Sequence, residues 1–389
     1  MEKIRLGIIG IGNMGSEHCR LILSGQTPEI ALTCVADPRQ DRRDWAQQTL
    51  PAGTGIYADG MSLIRAHACD AVLIATPHEL HPPLAEAALR AGLHVLSEKP
   101  AGVYTAQLHP VIAAAQETGR TYALMFNQRT NCVYRKAKAL IDSGALGEIK
   151  RMIWVVTDWY RTQSYYDAGA WRATWDGEGG GVLLNQCPHQ LDLLQWLCGL
   201  PVRVRAACHE GKWHDIEVED DVTAYLEFAN GATGTFIAST GDALGENRLE
   251  IIGTHARIRI ENDQLTLDTL SVDERDWCPV CKEPFGVPEI QHEIVQTDGE
   301  NPQHAGVLNA FAAHILHGTP LVADGREGIR GLMLSNAMHL SSWTNQTVSL
   351  PIDEELFLKL LNEKRRTSRH KDEVDAAIDV SGSFGSTRK

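Results

Sequence analysis

What this 389-residue chain lacks narrows its class before any motif is considered. No window approaches the ~18–20 uncharged apolar residues of a membrane span. Glu2, Lys3 and Arg5 run straight into an apolar strand, unlike the start of a signal peptide, so a cytoplasmic protein with no membrane partner is expected. Positive charge is in deficit: 36 Lys and Arg face 50 Asp and Glu, for a formal net charge of -14, whereas a nucleic-acid partner needs a basic footprint. Internal repeats are absent. The cysteines number 9 and are scattered, mostly inside apolar segments such as those of Cys19, Cys34 and Cys198, which is the usage of a reducing compartment. Cys278 and Cys281 form one C-x-x-C with no second pair to complete a tetrahedral zinc site, so no metal is expected.

What is present begins at Gly7–Gly15, GIIGIGNMG. Leu6, Ile8 and Ile9 make a short apolar run, and Gly10, Gly12 and Gly15 then fit the dinucleotide-binding pattern G-x-G-x-x-G. The first glycine allows the tight turn, the second a close approach of pyrophosphate, and the third helix–strand packing. The helix that follows, opening with Asn13 and Met14, points its free N–H groups at the phosphates. A second apolar run, Ile30 to Ala36, ends in Asp37, a carboxylate roughly 20 residues after the last glycine, where it can accept bonds from ribose hydroxyls. Asp37 favours NAD because it repels a 2′-phosphate; Arg39, Arg42 and Arg43 keep NADP open.

To about residue 126 strand and helix patterns alternate, which predicts a doubly wound parallel sheet. Strand Ala71 to Ala75 leads into Thr76, Pro77 and His78, with His81 just beyond. Leu93 to Leu96 ends in Ser97-Glu98-Lys99-Pro100, and Tyr122 to Phe126 closes the half at Asn127 and Arg129. Residues at the carboxyl ends of such strands face the ligand crevice, so Thr76, Pro77, His78, His81, Glu98, Lys99 and Asn127 are cofactor-side candidates. Beyond residue 147 the period changes. Ile149 to Thr157 reads as a longer strand, and Val222, Ala224, Leu226 and Phe228 alternate with polar residues up to Asn230-Gly231, a strong hairpin signal. Further strands at 249–252, 256–260 and 265–267 predict an open, mostly antiparallel sheet, one face of it free for helices or another subunit. Helices are expected at about 136–143, 303–317 and 325–343. Three divisions result: a Rossmann domain over 1–126, an α+β substrate and oligomerisation domain over 127–363, and a disordered tail over 364–389.

The densest polar and aromatic stretch, Thr157 to Leu200, holds Tyr160, Arg161, Tyr165, Trp171 and Arg172 ahead of Gly179-Gly180-Gly181. Aromatic faces stack on sugar rings, and arginine donates to hydroxyls or carboxylates. In Leu183–Asp192, a helix would put Asn185, His189 and Asp192 on one face, with Pro188 either kinking it or marking its first turn. His189 can take the proton that an alcohol loses when it gives up hydride.

Together Gly10-x-Gly12-x-x-Gly15, Thr76-Pro77 with His81, Glu98-Lys99-Pro100, and the glycine triplet followed by His189 and Asp192 resemble the glucose-fructose oxidoreductase and inositol 2-dehydrogenase family, Gfo/Idh/MocA. The resemblance covers the chain to about residue 350. It implies bound NAD or NADP, and oxidation or reduction of a secondary alcohol of a sugar, glycoside or cyclitol. It also implies a homodimer or homotetramer formed through the second sheet. It assigns Lys99 to the nicotinamide ribose and the substrate, and His189 to acid/base work. Many members carry Asp four residues before that histidine; this chain has Asn185, which can orient a hydroxyl but take no proton, leaving Asp192 as a substitute. The substrate-side candidates are thus Lys99, Tyr160, Arg161, Trp171, Arg172, Asn185 and His189. Two rival readings are a sugar- or NAD-sensing regulator and an enzyme that recycles bound NAD in glycoside cleavage or epimerisation.

Overall fold

Short aliphatic runs that can be buried on both faces make central strands. A computed structural model, which describes residues 2–369, shows six of them in the first third of the chain. Ile4–Ile9 (β1), Ile30–Ala36 (β2), Gly55–Tyr57 (β3), Ala71–Ile74 (β4), His94–Ser97 (β5) and Tyr122–Leu124 (β6) pair in parallel in the order β3-β2-β1-β4-β5-β6. One face is covered by helices Gly60–Ala66, His81–Arg90 and Leu108–Thr118 through Leu63, Leu89 and Val111. The other is covered by Asn13–Leu23 and Gln303–His317 through Cys19, Ile22, Leu308 and Phe311. Residues 303–317 thus complete the core of the nucleotide half, although they lie far along the chain. Strand order reverses between β1 and β4, and their carboxyl ends open the crevice. β3 and the helix capped by Asp59 occupy what reads in sequence only as a turn-rich passage, because a three-residue strand has no periodicity to find.

The second sheet has nine strands: Ile149–Val156 (β7), Arg203–Glu210 (β8), Glu219–Glu227 (β9), Thr233–Ser239 (β10), Asn247–Gly253 (β11), Ala256–Glu261 (β12), Gln264–Leu270 (β13), Ile290–Ile294 (β14) and Val348–Ser349 (β15). Their order is β14-β13-β12-β11-β7-β10-β9-β8-β15, and only the β7–β10 pair is parallel. Asn230-Gly231 closes the β9–β10 hairpin as expected: Gly231 takes φ +86°, and the Asn230 side chain accepts the Ala232 N–H at 3.0 Å. Strand β14 escapes the pattern because all its residues are exposed, and β8 because charged residues interrupt it. Trp154, Leu226 and Phe236 point inward, towards helices Cys132–Asp142, Pro188–Cys198 and Gly328–Thr344. Ile153, Val155, Thr235, Ile237 and Ile252 point the other way and stay partly exposed.

The helix expected from Lys136 begins earlier, at Cys132, because Asn131 caps it through the Val133 N–H at 2.8 Å. The first residues of the expected tail are ordered: helix Glu354–Arg365 contains two of them, and the Ser368 hydroxyl donates to Glu217 at 2.6 Å. The rest of that expectation, 370–389, lies outside the described residues. Among the described residues no helix is long and apolar enough to cross a membrane.

Candidate active site

The cofactor wall starts at the glycine turn. Gly10, at φ +86°, follows β1 so closely that a Cβ there would lie 2.6 Å from the Ala75 carbonyl oxygen, and a Cβ on Gly15 would collide with the Gly10 carbonyl oxygen. A Cβ on Gly12, by contrast, would meet nothing within 4 Å. The helix beyond it, opening with Asn13 and Met14, has no acidic residue in its first turn and no side-chain cap, so its N–H groups are left for an anion. Asp37 is buried beside this turn, accepting the Ile11 N–H and the Arg39 N–H, each at 2.9 Å. The Arg39 side chain is turned to Asp41 at 3.0 and 3.1 Å, and Arg43 caps the Asp37 and Pro38 carbonyls at 2.6 and 2.7 Å. An open cradle at Gly12, a bare helix N-terminus and a fixed carboxylate fit a dinucleotide whose ribose carries hydroxyls.

The ends of β4 and β5 form the rest of this wall. His81 reaches the Thr76 carbonyl at 2.7 Å and the Pro100 carbonyl at 2.8 Å, so its ring ties the two loops together and has no nitrogen left for a ligand. Thr76 and Pro77 follow the end of β4, and the buried Thr76 hydroxyl has no partner among the described residues. His78 faces the other half, its ring 5.6 Å from the Trp171 ring and its Nδ1 3.4 Å from the Glu178 carbonyl. Burial, then His81 and Lys99, hold its pKa well below the ordinary value. Burial alone would raise the Glu98 carboxyl, but a 2.7 Å bond from His18 and that ring's charge overturn this and bring it down to about 2. Asn127 is buried with its amide N–H donating to Gln303, while its Oδ1 has no partner among the described residues.

Lys99 leaves this wall and crosses the cleft. Its Nζ donates to the Asn185 carbonyl at 2.9 Å. Burial lowers its pKa, opposed by Glu98. The helix beyond Asn185 begins only at Pro188, which sits in its first turn where a missing N–H costs nothing. The expected shared face of Asn185, His189 and Asp192 is therefore corrected: Asn185 lies in the turn before the helix. Asp192 is no substitute for the missing carboxylate either, because it is fully buried in a two-bond pair with Arg129 at 2.7 and 2.6 Å. His189 is half-buried, with its ring 6.3 Å from Phe126 and its buried Nδ1 unpartnered. Burial first, then the Lys99 charge, keep its pKa well below the ordinary value, so the ring is neutral.

The glycine triplet folds around Glu219, which accepts the N–H groups of Gly181 at 2.9 Å and Leu183 at 3.0 Å; a side chain at Gly181 would collide with the Glu219 carbonyl oxygen. This turn delivers a residue that the pattern reading missed. Glu178 is buried, accepts the Ala173 N–H at 2.6 Å and is bonded by the Asn185 amide. Burial raises its pKa against the pull of Arg172. Its signal in sequence was slight: a lone carboxylate set between Gly177 and Gly179. His18, a turn into the glycine-loop helix, was missed in the same way. Arg161 and Arg172 lie over Tyr165, and Arg172 also over Trp171, whereas Tyr160 is 46% exposed and contributes its carbonyl to Arg161 at 2.9 Å.

Two family models match the chain. One, described as an oxidoreductase family with an NAD-binding Rossmann fold, covers residues 4–126, and the other, the GFO/IDH/MocA C-terminal domain, covers 134–259. An uncharacterized oxidoreductase, YdgJ of Escherichia coli K12, is 30% identical over 208 residues, 52% of this chain and 55% of that protein. Inositol 2-dehydrogenase of Rhizobium meliloti is 22% identical over 353 residues, 89% of this chain and 99% of that one. Among solved structures, the WlbA dehydrogenase from Bordetella pertussis, in complex with NADH and UDP-GlcNAcA, superposes with a TM-score of 0.76 at 26% identity, covering 90% of this chain and 100% of that one.

Proposed function

The chain belongs to the GFO/IDH/MocA oxidoreductases, and from that premise we propose that it oxidises a ring secondary alcohol of a sugar, glycoside or cyclitol, or reduces the corresponding ketone, with NAD rather than NADP. The observation that carries this reading is the 2.9 Å bond from Lys99 Nζ to the Asn185 carbonyl, which joins the end of β5 to the turn before the His189 helix. NAD, when bound, supplies the hydride acceptor. Gly10, Gly12, Gly15, Asn13 and Met14 would hold its pyrophosphate, Asp37 its adenosine ribose, and Thr76, Pro77 and Glu98 the nicotinamide end. The engaged side chains of Arg39 and Arg43 support NAD over NADP.

The roles of the chain's own residues follow from their charge states. Neutral His189 accepts the carbinol proton, and the Lys99 ammonium donates to the carbinol oxygen and favours its loss of that proton. Glu178 accepts from the Asn185 amide and fixes that side chain in the turn beside Lys99. Trp171, with Arg172 over its ring, lines the sugar's side of the cleft. The half-buried aliphatic residues of the open sheet face, Ile153, Val155, Ile237 and Ile252, support pairing with a second copy. Nine free cysteines among the described residues and a net charge of -14 support a cytoplasmic site and no nucleic-acid partner.

The test is a panel of sugars, glycosides and inositols assayed for NADH absorbance. Turnover of a ring alcohol is expected. NADH binding with no turnover anywhere would point instead to a sensing protein, and product formed with no net NADH to a recycled cofactor. Sedimentation at micromolar concentration checks the oligomer, and a monomer sinks that part.

A further inference from the structure

With 50 acidic residues against 36 Lys and Arg, cations here find carboxylates readily, as Arg5 does with Asp70, Arg135 with Asp298 and Arg326 with Asp324. The substrate wall departs from that habit. What Arg161 and Arg172 touch is aromatic: the Arg161 guanidinium lies 5.5 Å from the Trp159 ring centre and 5.0 Å from that of Tyr165, and Arg172 lies 4.7 Å from Tyr165 and 4.6 Å from Trp171. Stacking fixes the guanidinium planes and leaves their N–H edges for a ligand. Each spends one Nη1 inside the protein, Arg161 on the Tyr160 carbonyl at 2.9 Å and Arg172 on the Tyr165 hydroxyl at 2.8 Å. Guanidinium carries five donors, and the buried Nε of Arg161 has no acceptor among the described residues.

These edges adjoin the position of the reacting carbon. The Tyr165 hydroxyl also accepts from Gln186 at 3.2 Å, and Gln186 follows Asn185, whose carbonyl holds Lys99 Nζ at 2.9 Å. Trp171, under Arg172, meets the His78 ring of the opposite wall. Lys99, Arg161 and Arg172 thus share a cleft with the Glu178 carboxyl, whose hydrogen bonds go to the Asn185 amide and the Ala173 N–H rather than to any of the three cations. Positive charge is in excess there, and an anionic ligand would offset it.

We propose that the substrate is a sugar or cyclitol bearing a carboxylate, held in plane by the N–H edges of Arg161 and Arg172 while its carbinol faces Lys99 and His189. This rests on the dehydrogenase reading above. A planar carboxylate can accept from the free N–H groups of both guanidiniums, and a neutral analogue leaves those donors unpaired and is rejected.

The experiment titrates the full chain loaded with NADH with methyl glucuronide, methyl glucoside and glucose 6-phosphate, reading cofactor fluorescence, and repeats the NAD-linked assay with the two glycosides. The uronide is expected to bind at least ~30-fold tighter than the glucoside. In Arg161→Met and Arg172→Met that preference falls by about 10- to 150-fold, the worth of one charge-assisted hydrogen bond. Equal binding of acid and neutral sugar, tightest binding of the phosphate, or a parallel loss of NADH affinity in the variants overturns the proposal. Turnover of neutral sugars without any acid preference sinks the carboxylate site alone. Selective uronide binding with no turnover sinks the dehydrogenase reading alone.

Discussion

The two walls of the cleft are built on opposite terms. On the cofactor side the charged and imidazole side chains are tied into the protein: Asp37 holds two main-chain N–H groups, His81 bridges two carbonyls, and Glu98 is paired with His18, while the Thr76 hydroxyl and the glycine-loop helix N-terminus are left for the ligand. On the substrate side Lys99 has one carbonyl, His189 has an orphaned ring nitrogen, and Arg161 and Arg172 form no ion pair among the described residues. A wall satisfied by its own backbone is rigid before the ligand arrives, whereas one left with surplus donors and charge sacrifices stability to select its ligand. Variants on the two sides should therefore divide: substrate-wall changes act on turnover with little effect on folding, and cofactor-wall changes act on both.

The sharpest division is expected at Lys99 and His189. Lys99→Met and His189→Ala should each lower kcat by ~10²–10⁴ while the NADH Kd moves only a few-fold. The Lys99 variant should unfold no earlier than the parent, since a cation whose pKa burial depresses is a cost to the fold. Near-normal turnover of His189→Ala across pH would remove the ring from the chemistry.

Next in size is the strut behind that ring. Arg129 and Asp192 are both buried and doubly bonded, and Glu327 adds a third contact at 2.7 Å. Removing one partner leaves an uncompensated buried charge, so Asp192→Ala should cost about 3–5 kcal/mol in urea unfolding. Arg129→Met combined with Asp192→Leu should recover most of that. If Asp192→Ala instead folds normally and loses only turnover, Asp192 belongs to the proton path after all.

How much of this was legible in the chain depended on what kind of signal each residue leaves. The glycine turn, Asp37 and Glu98-Lys99 sit at strand ends, where local pattern and position coincide, and the Asn230-Gly231 hairpin is specified by its own turn chemistry. Glu178, His18 and the Arg129–Asp192 pair are set by contacts between distant segments, and no local period marks them. Asn185 was misplaced by a single turn: the pattern of Leu183–Asp192 suits a helix, but Glu219 holds the Gly181 and Leu183 N–H groups and delays its start to Pro188. The return of helix Gln303–His317 to the first sheet is invisible for the same reason, since its apolar face does not say which sheet it covers.

A smaller effect, on pH dependence, tests the buried histidines where the walls meet. Burial, then the neighbouring His18, bring the His304 pKa down to about 3. Its ring stays neutral in the fold while the unfolded chain takes up a proton below about 6.5, so folding must release that proton. Stability should thus be undiminished above 6.5 and fall as pH drops towards 3, by about 1.4 kcal/mol per pH unit for this ring. Glu98, at about 2 in the fold, adds a loss of the same sign only below about 4.5. Urea midpoints of the parent between pH 6.5 and 5 should slope downward, and His304→Asn should flatten that slope by one proton. An unchanged slope would show that His304 is protonated in the fold.

The smallest expected change bears directly on the contrast between the walls. Asp37 accepts two main-chain N–H groups, so Asp37→Ala removes two bonds worth about 1 kcal/mol each less what water restores, for a net loss of about 1 kcal/mol. The same substitution removes the carboxylate that repels a 2′-phosphate, and the ratio of NADP to NAD affinity should rise by roughly tenfold, about 1.4 kcal/mol. A substrate-wall residue treated alike, such as Arg172→Met, gives up one internal bond but keeps an apolar chain against Tyr165 and Trp171, and should move the unfolding midpoint less than Asp37→Ala. Equal stability losses in the two variants would mean that both walls are held by the protein in the same way, and the distinction between a satisfied cofactor face and an unsatisfied substrate face would be lost. Tighter binding of NADP than of NAD by the parent protein would separately show that the Asp37 carboxylate does not set the choice of cofactor.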